Sequence, residues 1–500
     1  MTAPNPLISC DTAIVKAHLL TSFGERIDQL FEAARCGELT PREAERRTWT
    51  AVVQIGAMLL TALFTILCRR ATEQAVSGLG LHMTGVEMRM GKDYWTTLKS
   101  TFGPVRFPWF AFRGTDGKTC VPARVLFPLR KRAHVTEMAL EWAVALAADH
   151  PFRKAAEALL FFSHAALDLE DTTVERYALL VGSTIPREWM YQPVAEIRRI
   201  LAEHATCDAL TGRPIIYAST DAHALLRYVN ETWAAKWKMS NGIRLWCIDK
   251  VTGAIISIGG EYTWDDCEGV ANSFRALQKS GHLPANGDYG GGVLAQIALV
   301  TDGSEWIASR VLPLFPGAVL ILDLFHVVEQ VAAAARRLYP GSKSKVKKLV
   351  NQARKVLGFR TPRKHAKVRK GPRKPRPART PAPAVGSAYA LYELLTPLLR
   401  ESDDRKRRDK LMLVLEFIVE NAYRMNYGDY RARGFQIGSG AMESLHRAAS
   451  QLRLKRPGCR WTAEAAQAIL NLRMLQLSGR WNEYWEQVDL AEQVDARRAA

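Results

Sequence analysis

Paired cysteines are missing from this sequence. Eight thiols stand at positions 10, 36, 68, 120, 207, 247, 267 and 459 of 500 residues, and none forms a CxxC pair. That spacing matches neither a disulfide framework nor a zinc-ligand set, so no structural zinc is expected. Scattered single thiols fit a reducing cytoplasm, which is the expected location. The N-terminal MTAPNPLISC lacks the basic start and apolar core of a signal peptide. Only one run, 51-AVVQIGAMLLTALFTILC-68, is long enough to span a bilayer. It contains Gln54 and two threonines and continues a charged helical pattern, PREAERRTW. It is therefore expected to be a buried core helix, with no membrane partner.

Acidic residues are absent from 343 to 379, where 16 of 37 residues are Lys or Arg. The whole chain carries +19, so 19 − 16 leaves about +3 for the remainder. The basicity is thus local. A field of one sign suits a polyanion, with nucleic acid the natural partner. The plainer alternative is a solvated basic loop with no fixed partner. Apolar residues make up 48% of the chain, enough for large cores, and the length implies two to four domains.

The periodicity divides the chain into six parts. Residues 1–90 read as helical, and 91–131 as a small β element rich in Thr, Val and aromatics. Residues 132–208 are helical again. Within them 152–182 forms a helical pair resembling a helix-turn-helix, with Thr172 or Thr173 capping the second helix. DNA reading and plain packing remain equal alternatives there. Residues 209–340 alternate strands and helices after an initial meander: IIYASTDA (215–222), a hairpin over 241–262 turning at DKVTG, helix 265–281, strand IALVTDG, helix SEWIASRVLPLF, strand AVLILDLF, and a helix from about His326 to Leu338. That order implies a mixed sheet covered on both faces. Residues 341–433 are a basic linker and helical insertion. Their Pro/Ala/Arg section, 371–386, has no means of building a core and is expected to be extended. Helix resumes from about Ala388 to Met425. Residues 434–500 return to compact character, opening with GFQIGSGAMESLHR.

Three carboxylates stand out: Asp221 at the end of the first strand of 209–340, Asp302 at the end of the fourth, and Glu443 early on a late helix. Carboxylate oxygens suit Mg²⁺, and two such ions about 3.5–4 Å apart serve phosphoryl transfer. Asp249 has a local explanation in the DKVTG turn, and Asp265, Asp266 and Glu268 have one at a helix start. Trp461 either stacks on a base or packs in the core, with the core the simpler choice.

YASTDA, TDGSEWI followed by FPGAVLILDLFHVVEQ, and GSGAMESLHR with its RLKRPGCRW tail resemble a DDE transposase of a bacterial insertion sequence, closest to the Mutator-like clade and its ISKra-type relatives. The resemblance covers about 215–475, roughly half the chain. Relatives tend to have Asp-Gly where this chain has Asp221-Ala222-His223. They often carry upstream zinc-ribbon cysteines, where here only Cys120 lies in the β region. The resemblance implies a multidomain α/β protein with an RNase H-like mixed sheet of order 3-2-1-4-5, a helical insertion, and a mostly helical N-terminal DNA-binding region. It implies Asp221, Asp302 and Glu443 as metal ligands for Mg²⁺, with Mn²⁺ able to substitute. Asp323 and His326 then take a supporting role, two strands from Asp221. Strand-end capping is the plainer reading of that pair. The basic side chains Lys343, Lys345, Lys347, Lys348, Arg447, Lys455, Arg456 and Arg460 are the expected phosphate contacts; surface charge is the alternative. The implied activity is cleavage and strand transfer at terminal inverted repeats by a homodimer or larger assembly bound to double-stranded DNA. The rivals are an inactive transposase-derived DNA-binding protein and a structure-selective RNase H-like nuclease.

Overall fold

The computed structural model describes residues 5–9, 11–78, 88–89, 95–113, 118–127, 129, 132–228, 235–358, 387–400 and 405–489. Two compact units are present: Met1–Ile185 with the residues from Asn482 on, and Pro186–Trp481. Residues 186–208, grouped with the preceding helices by sequence, lie in the second unit.

In the first unit, α1 (Thr12–Arg35) starts where the Asp11 side chain accepts the Ala13 N–H. The next helix, α2 (Pro41–Gly78), packs its C-terminal half against a two-stranded hairpin, β1 (Trp95–Ser100) and β2 (Gly103–Pro108). Cys68, Leu98, Val105, Phe107 and Trp109 form that small core, with the Phe64 ring 5.2 Å from Phe107. The expectation of a buried core helix over 51–68 needs correction. Only 28% of its most apolar window is buried. Leu59, Leu63 and Leu67 are each 44% exposed, because one face alone meets the hairpin. By length and composition this helix is able to cross a membrane.

Three helices follow, α3 (Glu137–Asp149), α4 (Phe152–Phe162) and α5 (Asp171–Gly182). The sequence placed the α5 cap at Thr172 or Thr173. The helix starts at Asp171 instead, with Glu170 in the capping position and no side-chain cap bond. The connection 163–170 is longer than the three or four residues of a helix-turn-helix turn. It contains His164 and Ala165 at positive φ.

The second unit opens with α6 (Val194–Glu203) and holds a five-stranded mixed sheet. Its strands are β3 (Ile215–Tyr228), β4 (Ala235–Ile248), β5 (Ile255–Thr263), β6 (Gln296–Thr301) and β7 (Val319–Leu322). The spatial order is β7-β6-β3-β4-β5. Strands β3, β4 and β5 run antiparallel in turn, while β6 and β7 run parallel to β3. The apolar runs Ile215–Ala218 and Gln296–Thr301 are buried on both faces, as expected for strands inside a covered sheet. Helix α7 (Cys267–Lys279) lies between β5 and β6, with the Asp266 side chain accepting the N–H of Glu268 and Gly269. Asp249 accepts the N–H of Val251 and Thr252 in the β4–β5 turn. Both acids thus have local roles.

The segment after β7 holds α8 (Leu324–Leu338), α9 (Lys343–Val356), α10 (Ala388–Leu395) and α11 (Arg405–Glu420). The first part of the basic run is thus a helix, not a linker. Its apolar residues Leu349 and Ala353 join one core with Val331 of α8, Leu391 of α10, Leu415 of α11 and Ile321 of β7. Each fully buried leucine there contributes about 1.5–3 kcal/mol. The expected single helix from Ala388 to Met425 is broken into shorter pieces. The Pro/Ala/Arg stretch 371–386 lies outside the described residues. Two further helices, α12 (Gly440–Leu445) and α13 (Ala463–Ser478), return to the sheet. Trp461 is 6% exposed and donates to the Leu454 carbonyl, so it belongs to the core.

Candidate functional site

Three aspartates stand at matching offsets beyond the ends of the two parallel ladders. The β3–β6 ladder ends at Ala218 opposite Leu299, a difference of 81, and Asp221 and Asp302 differ by the same 81. The β6–β7 ladder ends at Thr301 opposite Leu322, a difference of 21, as between Asp302 and Asp323. Neighbouring strands lie ~4.8 Å apart, so Asp302 is one strand from Asp221 and Asp323 is two. Past Ala218, β3 pairs only with β4. The carboxyl edge of the parallel strands is where α/β sheets commonly bind ligands.

The sequence placed Asp221 at a strand end. It lies mid-strand, because β3 continues to Tyr228 as a long arm paired with β4 from Lys236 on. Asp221 and Asp302 are both part-buried, and Asp323 is 0% exposed. Asp302 accepts the Ser304 N–H at 2.9 Å and the Ser304 hydroxyl at 3.0 Å, a turn closed by Gly303 at φ +97°. The buried Arg424, between α11 and α12, donates to the Gly303 carbonyl at 2.6 Å and so pins this turn from the insertion side. A π-helical stretch, Ile307–Val311, follows.

Asp323 caps α8, accepting the Phe325 N–H at 3.2 Å. Its other partners are the His326 Nδ1 at 2.7 Å and the Ser439 N–H and hydroxyl at 3.0 and 2.9 Å. Both carboxylate oxygens are therefore engaged within the protein. His326 is raised to about 9, first by the Asp323 hydrogen bond. Burial opposes that rise, and the charges of Asp323, Asp221 and Asp302 add to it. One imidazolium thus lies within the field of all three aspartates.

Glu443 sits in the first turn of α12 and is exposed. Its helix is anchored over the strand pair that carries Asp221. Arg244 of β4 donates to the Ala441 carbonyl and, at 2.7 Å, to the Ser444 hydroxyl. Gly242 lies opposite Asp221 in the ladder, and a Cβ there would displace the Met442 terminal methyl carbon, 2.3 Å away. Upstream, the Tyr217 hydroxyl accepts the Gln436 N–H and the Trp246 indole donates to the Gln436 side chain.

The donor chemistry fits a hard divalent cation: two part-buried carboxylates on adjacent strands and a third on the helix above them. The three are not gathered into a finished cage, for among the described residues no three His, Cys, Asp or Glu side chains stand close enough to share an ion. Lys343, Lys345, Lys347 and Lys348 lie on exposed positions of α9, and Arg447, Lys455, Arg456 and Arg460 are exposed around the chain after α12.

Sequence reasoning missed Arg424, His446, His223 and Tyr262. His446 and His223 are 4% and 8% exposed. The His446 Nε2 is 3.5 Å from Asp221 Oδ2. Burial acts to raise the Asp221 carboxyl. The nearby His446 side chain, with the Ala222 N–H and the charge of His326, holds it below the usual range. ESLHR already contained His446, three residues after Glu443, and that i, i+3 spacing was the available signal.

No protein-family model matches the chain. No curated protein matches it either. Among solved structures the chain is similar to the Drosophila P element transposase strand transfer complex, at 13% identity over 74% of this chain and 86% of that one. The TM-score is 0.23, too low to carry fold or function across.

Proposed function

We propose that the protein is a DDE-type DNA transposase of an insertion sequence with an RNase H-like catalytic unit. One observation carries this reading: Asp221 and Asp302 each stand three residues beyond the last paired residues of the parallel β3–β6 ladder, in a sheet whose order within the unit is 3-2-1-4-5. Asp221, Asp302 and Glu443 would hold Mg²⁺, or Mn²⁺ in its place; when bound, such ions supply charge stabilisation for phosphoryl transfer. The chain supplies alignment. Asp323 and His326 fix the α8 start against Ser439, and Arg424 fixes the turn after Asp302. The α9 lysines and Lys455, Arg456 and Arg460 neutralise phosphates of double-stranded DNA. In the first step water cleaves a phosphodiester at the element end, leaving a 3′-OH and a 5′-phosphate. In the second, that 3′-OH attacks a target phosphodiester and expels a 3′-OH. Joining two ends calls for a dimer or larger assembly.

The test is a Mg²⁺-dependent nicking and joining assay on DNA carrying the inverted repeats that flank the reading frame. Glu443→Gln should bind that DNA as wild type does and not nick it. Nicking that survives this substitution removes Glu443 from the site. A second reading, a DNA-binding protein without catalysis, is favoured by the exposed position of Glu443. It predicts repeat binding with no nicking in Mg²⁺ or Mn²⁺.

A further inference from the structure

A buried polar chain runs behind the aspartate row. The Tyr262 hydroxyl lies 3.1 Å from His446 Nδ1, and the His446 ring lies 4.4 Å from that of His223. His223 Nε2 meets the Ser450 hydroxyl at 2.5 Å. His446 and Ser450 both belong to a π-helical stretch, His446–Gln451, directly after α12. Such widened turns insert an extra residue into a helix and are frequent at functional sites. Here the widened turn directs His446 and Ser450 together toward β3. On its other side His446 Nε2 makes no hydrogen bond within the usual limits, and Asp221 Oδ2 lies 3.5 Å from it.

We propose that His446 is a positioning residue for Asp221, setting that carboxylate from the helix that also carries Glu443. The inference rests on the reading of Asp221 as a site residue. The contact allows either tautomer; in the one the proposal uses, the Tyr262 hydroxyl donates to Nδ1. In that tautomer Nε2 carries the proton and faces Asp221 Oδ2, and a small closure of the 3.5 Å gap completes the bond. Asp221 needs such an outside brace. It lies past the end of the β3–β6 ladder, and its own local bond reaches only the next N–H, that of Ala222. An N–H on Oδ2 holds that oxygen, while Oδ1, which accepts the Ala222 N–H, keeps a second lone pair for a ligand. Partners of ligating groups commonly act this way, and their loss weakens metal binding about 10–100-fold. The arrangement also couples the two acids: any movement of the α12 helix that carries Glu443 inward moves His446 with it.

The experiment uses the full chain and Mn²⁺ alone, titrated by calorimetry without DNA, beside melting curves and the Mg²⁺ dependence of nicking. His446→Ala and Tyr262→Phe should weaken Mn²⁺ binding at least ~10-fold and raise the Mg²⁺ needed for half-maximal nicking. His446→Gln places an amide donor near the same point and should recover most of the affinity. A lower melting temperature in all three variants with unchanged Mn²⁺ affinity would show a packing role only and overturn the proposal. Asp221→Asn is the reference. If it weakens Mn²⁺ binding and His446→Ala does not, the brace alone is wrong. If Asp221→Asn has no effect, the reading of the site falls and the brace falls with it.

Discussion

Asp323 holds Ser439 by two hydrogen bonds, from the backbone N–H at 3.0 Å and from the hydroxyl at 2.9 Å. This joins the end of β7 to the turn that starts α12, across a sequence separation of 116 residues. The turn is tight: a Cβ at Gly438 would lie 3.1 Å from the Phe325 ring and 3.6 Å from Asp323 Oδ1. Asp323 therefore works as a clamp between the two halves of the second unit. Ser439→Ala removes one bond to a buried carboxylate and should cost about 1–3 kcal/mol in chemical unfolding, with nicking reduced but present.

His326 gives a pH signature. Its folded pKa, about 9, lies above the ordinary 6.5, chiefly through the Asp323 hydrogen bond. A raised pKa contributes stability fully present below about 6.5 and lost as pH rises through 9. His326→Gln should therefore melt below wild type at pH 6, and the gap should narrow between pH 7 and 10. A gap constant across that range would show that the imidazolium is not what holds Asp323.

Arg424 is 4% exposed and reaches the Gly303 carbonyl and the Asn421 side chain, each at 2.6 Å. Arg424→Met leaves a buried carbonyl without its donor, a loss of about 1–3 kcal/mol. It should also let the Asp302 turn drift. Misplacement by ~1 Å costs on the order of 100-fold in rate, so nicking should fall steeply while DNA affinity stays near wild type. Equal losses in binding and nicking would place Arg424 at the DNA instead.

The outward face of α9 bears Lys347, Lys348 and Lys355 beside Asn351 and Gln352, all exposed or half-buried. Changing the three lysines to Gln should weaken repeat and random DNA alike. The log–log salt slope should flatten by up to ~0.9 for each phosphate that is no longer neutralised. Selective loss of repeat binding would make α9 a sequence reader.

Much of the unit's order was legible because buried strands and helices differ in period. Gln296–Thr301 and Val319–Leu322 read as continuous apolar runs, each ending in an aspartate. The long β3 arm was not legible as strand. After Asp221 the side chains alternate between buried and part-buried on a two-stranded arm, and Ala222-His223-Ala224 gives that alternation little contrast. The exposed stripe of α2 was misread because apolar content predicts burial only when a partner surface exists, and here the hairpin covers one face. The α9 helix was hidden by its lysines, though Val346, Leu349, Val350 and Ala353 carry a helical spacing between them. His446 and Arg424 were missed because their partners, Asp221 and Gly303, are distant in sequence and met only through the fold.

The most direct measurement compares Asp302→Asn with Asp323→Asn, in nicking rate against Mg²⁺ concentration and in melting temperature. The near-isosteric change isolates charge. Asp302→Asn should stay folded and lose nicking and strand transfer together, with little rescue by Mn²⁺. Asp323→Asn should melt lower, because its oxygens serve Phe325, His326 and Ser439. It should keep part of its activity with an unchanged Mg²⁺ requirement. An active Asp302→Asn beside a folded but dead Asp323→Asn would contradict the account and move the chemistry one strand outward.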